Sequence, residues 1–389
     1  MAHGTATPLT TFTLDQLRTR TSEKWRHYEP DVLPLWVAEM DSTIAPAVTE
    51  ALQNALTQAD TGYASGNEYG HAFSEFAAAR WGWNVDPDDT IPVIDVMRGI
   101  GDVIRLMSEP GAPVVITPPV YYPFARVVEA LGREKIDAPL AAAGRFDPAT
   151  LETACAEAAS RGKGGLILIS NPHNPTGVAH TRAELETLAS IAARYGLRIV
   201  ADEIHAPLMM PGFEFVPILS VAGAENAIVV TSASKSFNLA ALKAGLIVGG
   251  PGSRAEVRGM KGRVSNGASH WGMLSHVAAL RGGGEWLDAV VADISSNSTL
   301  LTQLLAEHLP GAVYQPVEAT YLAWVDCRAL GLGDDPAAVF LEHGRVAFSS
   351  GPTFGVGGEG FIRVNLATTP EVLTEAISRA GRALFAPRP

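Results

Sequence analysis

The chain has 389 residues, 47% of them hydrophobic and 18% charged, with a formal net charge of −12. That is the composition of a soluble globular protein long enough for about two or three domains, and its acidity argues against a general nucleic-acid or anionic-membrane surface. No stretch offers the roughly 18 uninterrupted apolar residues of a membrane span.

In chain order, the opening "MAHGTATPLT" lacks the basic-then-apolar layout of a signal peptide, so a cytoplasmic location is expected. Residues 1–45 show little regular periodicity and are expected to drape across a junction. Next come short β-branched runs that read as buried strands: "PVVIT" (113–117), "LILIS" (166–170), "LRIVA" (197–201), "AIVVTS" (227–232) and "GLIVGG" (245–250). Between the second and third lies "TRAELETLASIAARYG", a predicted helix. Thr181 caps it, Glu184 completes a capping box, and Leu185, Leu188, Ala189 and Ala192 form one apolar face before Gly196 stops it. Strands alternating with such helices predict an α/β fold with a mainly parallel sheet covered on both sides. From about residue 284 the pattern changes to a long helix, strand-like "YLAWVDC" and "FIRVNLA", and a terminal helix. The expected division is a large unit at 46–283, with 1–45 and 284–389 forming a smaller α+β unit. Cys155 and Cys327 are isolated, which suits packing roles in a reducing compartment.

In parallel α/β sheets, ligands gather at the carboxyl ends of the strands. The polar residues fall there: Asn171–Gly177, Asp202–His205 and Ser232–Lys235 each follow an apolar run. A lysine, an acid and a set of anion donors placed together suit pyridoxal phosphate. Its aldehyde forms a Schiff base with a lysine amine, its ring nitrogen needs an acidic partner, and its phosphate needs donors. Lys235 would hold the aldehyde and then serve as proton-transfer base. Asp202 would keep the ring nitrogen protonated, while Ser232 and Lys243 would serve the phosphate. Each residue alone has a plainer reading as a surface lysine, a strand-end acid or a helix cap.

"SNPHNPTG" (170–177), "ADEIH" (201–205) and "SASKSFNLAALKAG" (232–245), with "TPPVYYPF" (117–124) and "FIRVNLA" (361–367), resemble in order and spacing the signatures of aspartate-aminotransferase-fold (fold type I) enzymes. The likeness runs from "DVLPLWVAEMDSTIAPAVTEAL" (31–52) to Arg363. It implies that Tyr121 stacks on the pyridine ring, that Asn174 bonds the ring's phenolic oxygen, and that backbone donors of Val96 and Met97 help bind phosphate at a helix start. Asp95 stands where many such enzymes have glycine, and Lys243 where many have arginine. Tyr63, in "TGYASGNEYG", resembles a tyrosine that reaches the neighbouring subunit's phosphate, which implies a homodimer with shared sites. Arg363 is expected to clamp the substrate α-carboxylate, with Ala38 beside it.

His205 narrows the reaction. "PLWVAEMD" (34–41), "DEIH" and "SKSFN" together resemble the carbon–sulfur β-lyases, including cystathionine β-lyases of this fold, with His205 at the cofactor. That resemblance implies cleavage of a cysteine thioether to pyruvate, ammonia and a thiol. An aminotransferase is the alternative, because a shared fold does not fix the reaction outcome. "GVGGEG" (355–360) precedes a strand instead of opening a helix, so no dinucleotide site is expected. The ten histidines include no HExxH, so no catalytic metal is expected. "ARWGW" (79–83) reads as core or a dimer contact.

Overall fold

A seven-stranded sheet organises the chain, in a computed structural model that describes residues 6–264 and 267–385. Its order is Thr90–Val93, Gly245–Gly249, Ile228–Thr231, Arg198–Asp202, Leu166–Ser170, Pro113–Ile116, Glu134–Asp137. The central strands are unbroken apolar runs because both faces are buried, and the period of two deals their side chains to two cores. Ile167 and Ile169 join one core with Leu185 and Leu188 of the helix Arg182–Tyr195, while Leu166 and Leu168 join the other with Ile100 and Val103 of the helix Val96–Met107. The predicted capping box is present: the Thr181 hydroxyl accepts from the Glu184 N–H, and the Glu184 carboxylate accepts from the Thr181 N–H at 2.7 Å. Gly196 ends that helix at φ 66°, a left-handed conformation that favours glycine.

Two strands lie at the edges that no apolar run announces. Thr90–Val93 contains Pro92, which an edge strand tolerates because a missing donor there breaks few ladder bonds. Glu134–Asp137 buries only Ile136, so its sequence is mostly polar. All strands are mutually parallel except Gly245–Gly249, which is antiparallel to both neighbours. The carboxyl ends of six strands therefore share one edge with the amino end of the seventh. That reversal brings Lys243 and Ala244 to the edge where Asp95, Asn174, Asp202 and Lys235 emerge.

A second, four-stranded antiparallel sheet has the order Ser349–Ser350, Phe361–Asn365, Leu322–Asp326, Val313–Tyr314. It shares a core with the helices Gly284–His308 and Pro370–Ala383 through Leu301, Leu305, Leu373 and Ile377. The N-terminal segment ties the two sheets together. Leu33–Pro34 pairs in parallel with Val346–Ala347, and Asn365 Nδ2 donates to the carbonyls of Val37 and Glu39, both at 2.7 Å. From the other side, the Asn238 amide accepts from the Met40 N–H and donates to the Met40 carbonyl, both at 2.9 Å.

Trp81 and Trp83 pack edge-on against Phe73, and Trp81 also meets Phe76 and Phe215, so "ARWGW" is largely a core cluster. Both cysteines are free and buried. Among the described residues no helix is long and apolar enough to cross a membrane.

Candidate active site

Lys235 follows the buried strand Ile228–Thr231 on a turn that is braced from behind. Ser232 Oγ accepts from the Ser234 N–H at 3.1 Å and donates to the Ala244 carbonyl at 2.7 Å. The Tyr69 hydroxyl accepts from the Ala233 N–H at 3.2 Å and lies 2.9 Å from His276 Nδ1. So held, Lys235 Nζ donates to the Ala38 carbonyl at 2.9 Å, an oxygen that also accepts from the Tyr321 hydroxyl at 3.1 Å. Burial and the charge of Arg363 pull the amine down to about 8, so a useful fraction is neutral and nucleophilic near physiological pH.

Asp202 ends its strand, and Oδ1 accepts from the Ile204 N–H at 3.0 Å. Burial pushes this carboxyl up to about 7, against the pull of that N–H and of Lys235. A cation set beside it would keep it ionised. His205, on the turn that follows, is buried with Nδ1 unpartnered. Burial and the cations Lys235 and Arg363 lower it to about 3, so the imidazole is neutral.

Asn174 and Arg363 meet from opposite sheets. Arg363 Nη1 donates to Asn174 Oδ1 at 2.8 Å, while Nη2 donates to the Trp36 carbonyl at 2.9 Å and to Ser349 Oγ at 3.1 Å. A guanidinium only donates, so this contact fixes the amide with its oxygen toward Arg363 and its NH₂ pointing elsewhere. Arg363 is 5% exposed, its Nε has no partner, and burial lowers it only to about 10, so it stays cationic. Tyr121 is tied to the Asn174 carbonyl through its own N–H at 3.1 Å, and burial pushes its hydroxyl up to about 12.

At the far end the helix Val96–Met107 opens, where the first N–H groups have no acceptors within the helix. Asp95 caps it: Oδ1 accepts from the Arg98 N–H at 2.8 Å, and Oδ2 accepts from Lys243 Nζ at 3.0 Å. The acid that replaces glycine there is therefore a helix cap and a tether for Lys243.

Lys235, Asp202, Tyr121, Asn174, His205, Val96, Met97, Lys243, Arg363 and Ala38 all line one cavity of about 850 Å³. Two expected residues do not. Ser232 lies behind the wall with its hydroxyl committed to the turn, and Ser234 takes the place at the surface. Tyr63 is fully exposed and away from the cavity. The cavity adds residues the sequence did not single out: Ser349 and Ser350, Phe354, Arg126 and Asp335. Ser349 sits opposite Arg363 in strand register, a long-range pairing that no local pattern reveals. Among the described residues no group of three or more His, Cys, Asp or Glu side chains is placed to hold a metal ion.

The profile of the family described as aminotransferase class I and II matches residues 30–379. A Mycobacterium leprae protein provisionally named a cystathionine β-lyase is 46% identical over 98% of this chain and 99% of its own length. The cystathionine β-lyase of Corynebacterium glutamicum is 32% identical, covering 95% of this chain and 99% of that one. Among solved structures, a provisionally named PLP-dependent β-cystathionase of Corynebacterium diphtheriae superposes with a TM-score of 0.88 at 35% identity, over 96% of this chain and 98% of that one. With its fold, its gathered lysine, aspartate and arginine, and a profile match over most of its length, the chain belongs to the class I and II aminotransferase family.

Proposed function

We propose that the chain is a pyridoxal-5′-phosphate-dependent carbon–sulfur β-lyase that cleaves cysteine thioethers of the cystathionine kind to pyruvate, ammonia and a thiol. The observation that carries this reading is a buried amine of lowered basicity, Lys235, sharing one cavity with buried Asp202 and with an Arg363 whose Nε is unpartnered. The residues fit the cofactor. Lys243 and the N–H groups of Val96 and Met97 would take its phosphate, Asp202 its ring nitrogen, the Asn174 NH₂ its phenolic oxygen, and Tyr121 would cover its ring, with neutral His205 beside it.

When bound, the cofactor supplies an electron-poor ring that stabilises negative charge at the substrate α-carbon. Arg363, held by Asn174, Trp36 and Ser349, orients the α-carboxylate and sets the α-hydrogen toward Lys235. Lys235 Nζ, once free, takes that proton, and the Ala38 carbonyl keeps the amine within reach. Asp202 would hold a proton on the ring nitrogen. The thiolate would depart from the β-carbon without needing a strong acid, and Tyr121 would be the donor if a proton is delivered. An aminotransferase would use the same groups up to the first proton transfer and differ only afterwards. Given L-cystathionine, the holoenzyme is expected to release pyruvate and ammonia in equal amounts. Release of neither would contradict the assignment.

The reading includes a cytoplasmic homodimer whose sites bind a small amino-acid substrate and no nucleic acid, each subunit divided into 46–283 and the paired segments 1–45 and 284–389. Tyr63 is fully exposed, which leaves it accessible to a neighbouring subunit's phosphate. Mixing inactive Tyr63→Phe and Lys235→Ala variants should restore part of the activity by forming one intact site per mixed dimer. No rescue after demonstrated subunit exchange would mean that each subunit completes its own site.

A further inference from the structure

Asp335 carries a carboxylate that the fold leaves uncommitted. It precedes the helix Pro336–Gly344, at the position where Asp95, Asp147 and Thr181 each cap their helices through a side-chain oxygen. Among the described residues Asp335 makes no such bond, and its Oδ1 is buried with no partner. A carboxylate oxygen withdrawn from water without a donor is unfavourable, so a cationic group arriving beside the half-buried Asp335 would supply the partner that Oδ1 lacks among the described residues. Asp335 lines the same cavity as Lys235 and Arg363. A second uncommitted charge lines the same cavity. Arg126, on the helix Pro123–Ala130 that begins just after Tyr121, lines the cavity with its guanidinium 4.9 Å from the Tyr122 ring centroid, and no carboxylate pairs with it among the described residues.

The same cavity is also lined by apolar Trp36, Ala338, Leu341 and Phe354. At about 850 Å³ the cavity is near the upper end of ordinary small-molecule sites, which leaves length beyond the cofactor for an extended substrate.

We propose that Asp335 and Arg126 form a distal subsite that selects thioethers whose sulfur carries a second amino acid, Asp335 taking the distal ammonium and Arg126 the distal carboxylate. The methylene chain lies along the apolar wall while Arg363 holds the proximal carboxylate. This rests on the lyase reading for the identity of the substrate, and the two fail in different ways.

The test uses the cofactor-loaded enzyme with L-cystathionine and with S-propyl-L-cysteine, which keeps the chain and lacks both distal charges. Thiol release gives KM and kcat, and the change in cofactor absorbance on mixing gives a dissociation constant that needs no turnover. Asp335→Asn should raise KM and the dissociation constant for cystathionine about tenfold, with kcat and the propyl substrate within about twofold, since a charge-assisted pair is lost from one ligand only. Asp335→Glu should recover part of the loss, and Arg126→Gln should weaken cystathionine alone by about threefold, as an exposed rim charge would. Equal effects of Asp335→Asn on both thioethers, or none on either, overturn the inference. Should wild-type enzyme bind cystathionine yet release no thiol, the lyase reading falls, and the ratio of dissociation constants still decides the subsite.

Discussion

Lys235→Ala, loaded with cofactor, is expected to lose at least about 10⁴-fold in the rate of thiol release from L-cystathionine. A general base usually contributes about 10²–10⁴-fold, and a residue proposed to attach the cofactor as well would act in several steps at once. The loss should not reflect unfolding. Among the described residues the Lys235 amine makes one hydrogen bond, to Ala38, and that oxygen keeps the Tyr321 hydroxyl as a donor. Removing a buried amine also removes its desolvation cost, so the variant should melt no more than a few degrees from wild type. A small added amine should restore part of the proton-transfer rate, because the space the side chain leaves opens onto the cavity. Activity within tenfold of wild type in a variant freed of its cofactor linkage would show that another group is the base.

Asp202→Asn is the second large effect, with kcat expected to fall by about 10²–10⁴-fold while the cofactor remains bound. An amide cannot hold the proton on the ring nitrogen, so the ring draws less charge from the α-carbon. The same change should stabilise the cofactor-free protein at neutral and alkaline pH. Burial raises Asp202 to about 7 in the folded chain, whereas an unfolded aspartate titrates near 3.8. The stability that the protonated carboxyl contributes is fully present below about 3.8 and is lost as the pH climbs to about 7. Above that the ionised group costs on the order of a few kcal/mol, which asparagine avoids. Glu203, pushed up to about 8 by burial, works in the same direction and remains in the variant. Thermal melts of the apo-protein at pH 8 should therefore favour Asp202→Asn, and melts at pH 4 should not. A carboxyl that weakens its own scaffold in this way, in the role proposed for it, would be a familiar trade between function and stability.

Much of this site was legible in the chain. The strands of the central sheet, apart from the two edges, announce themselves as apolar runs, because a strand buried on both faces has no position for a polar side chain. The capping box at Thr181 and Glu184 and the stop at Gly196 are local, and local chemistry can be read directly. Asp202 ends its strand, and Lys235 and Asn174 stand just past theirs, where the parallel topology gathers them. What could not be read depends on contacts far apart in sequence. The reversed strand Gly245–Gly249 delivers Lys243 to Asp95, and the register between Ser349 and Arg363 builds the arginine's cradle. Ser232 illustrates the limit from the other side, as its place in the motif suggested a phosphate contact and its hydroxyl is engaged with Ala244.

The reaction is tested most directly by counting turnovers of L-cystathionine with no 2-oxo acid present. A lyase returns Lys235 to its starting linkage after each thiolate departs, so pyruvate, ammonia and homocysteine should accumulate over many equivalents per site. An aminotransferase would pass the amino group to a 2-oxo acid and so would need one for each turnover. Turnover that stops after about one equivalent and resumes only when a 2-oxo acid is added would contradict the lyase and establish the aminotransferase in its place.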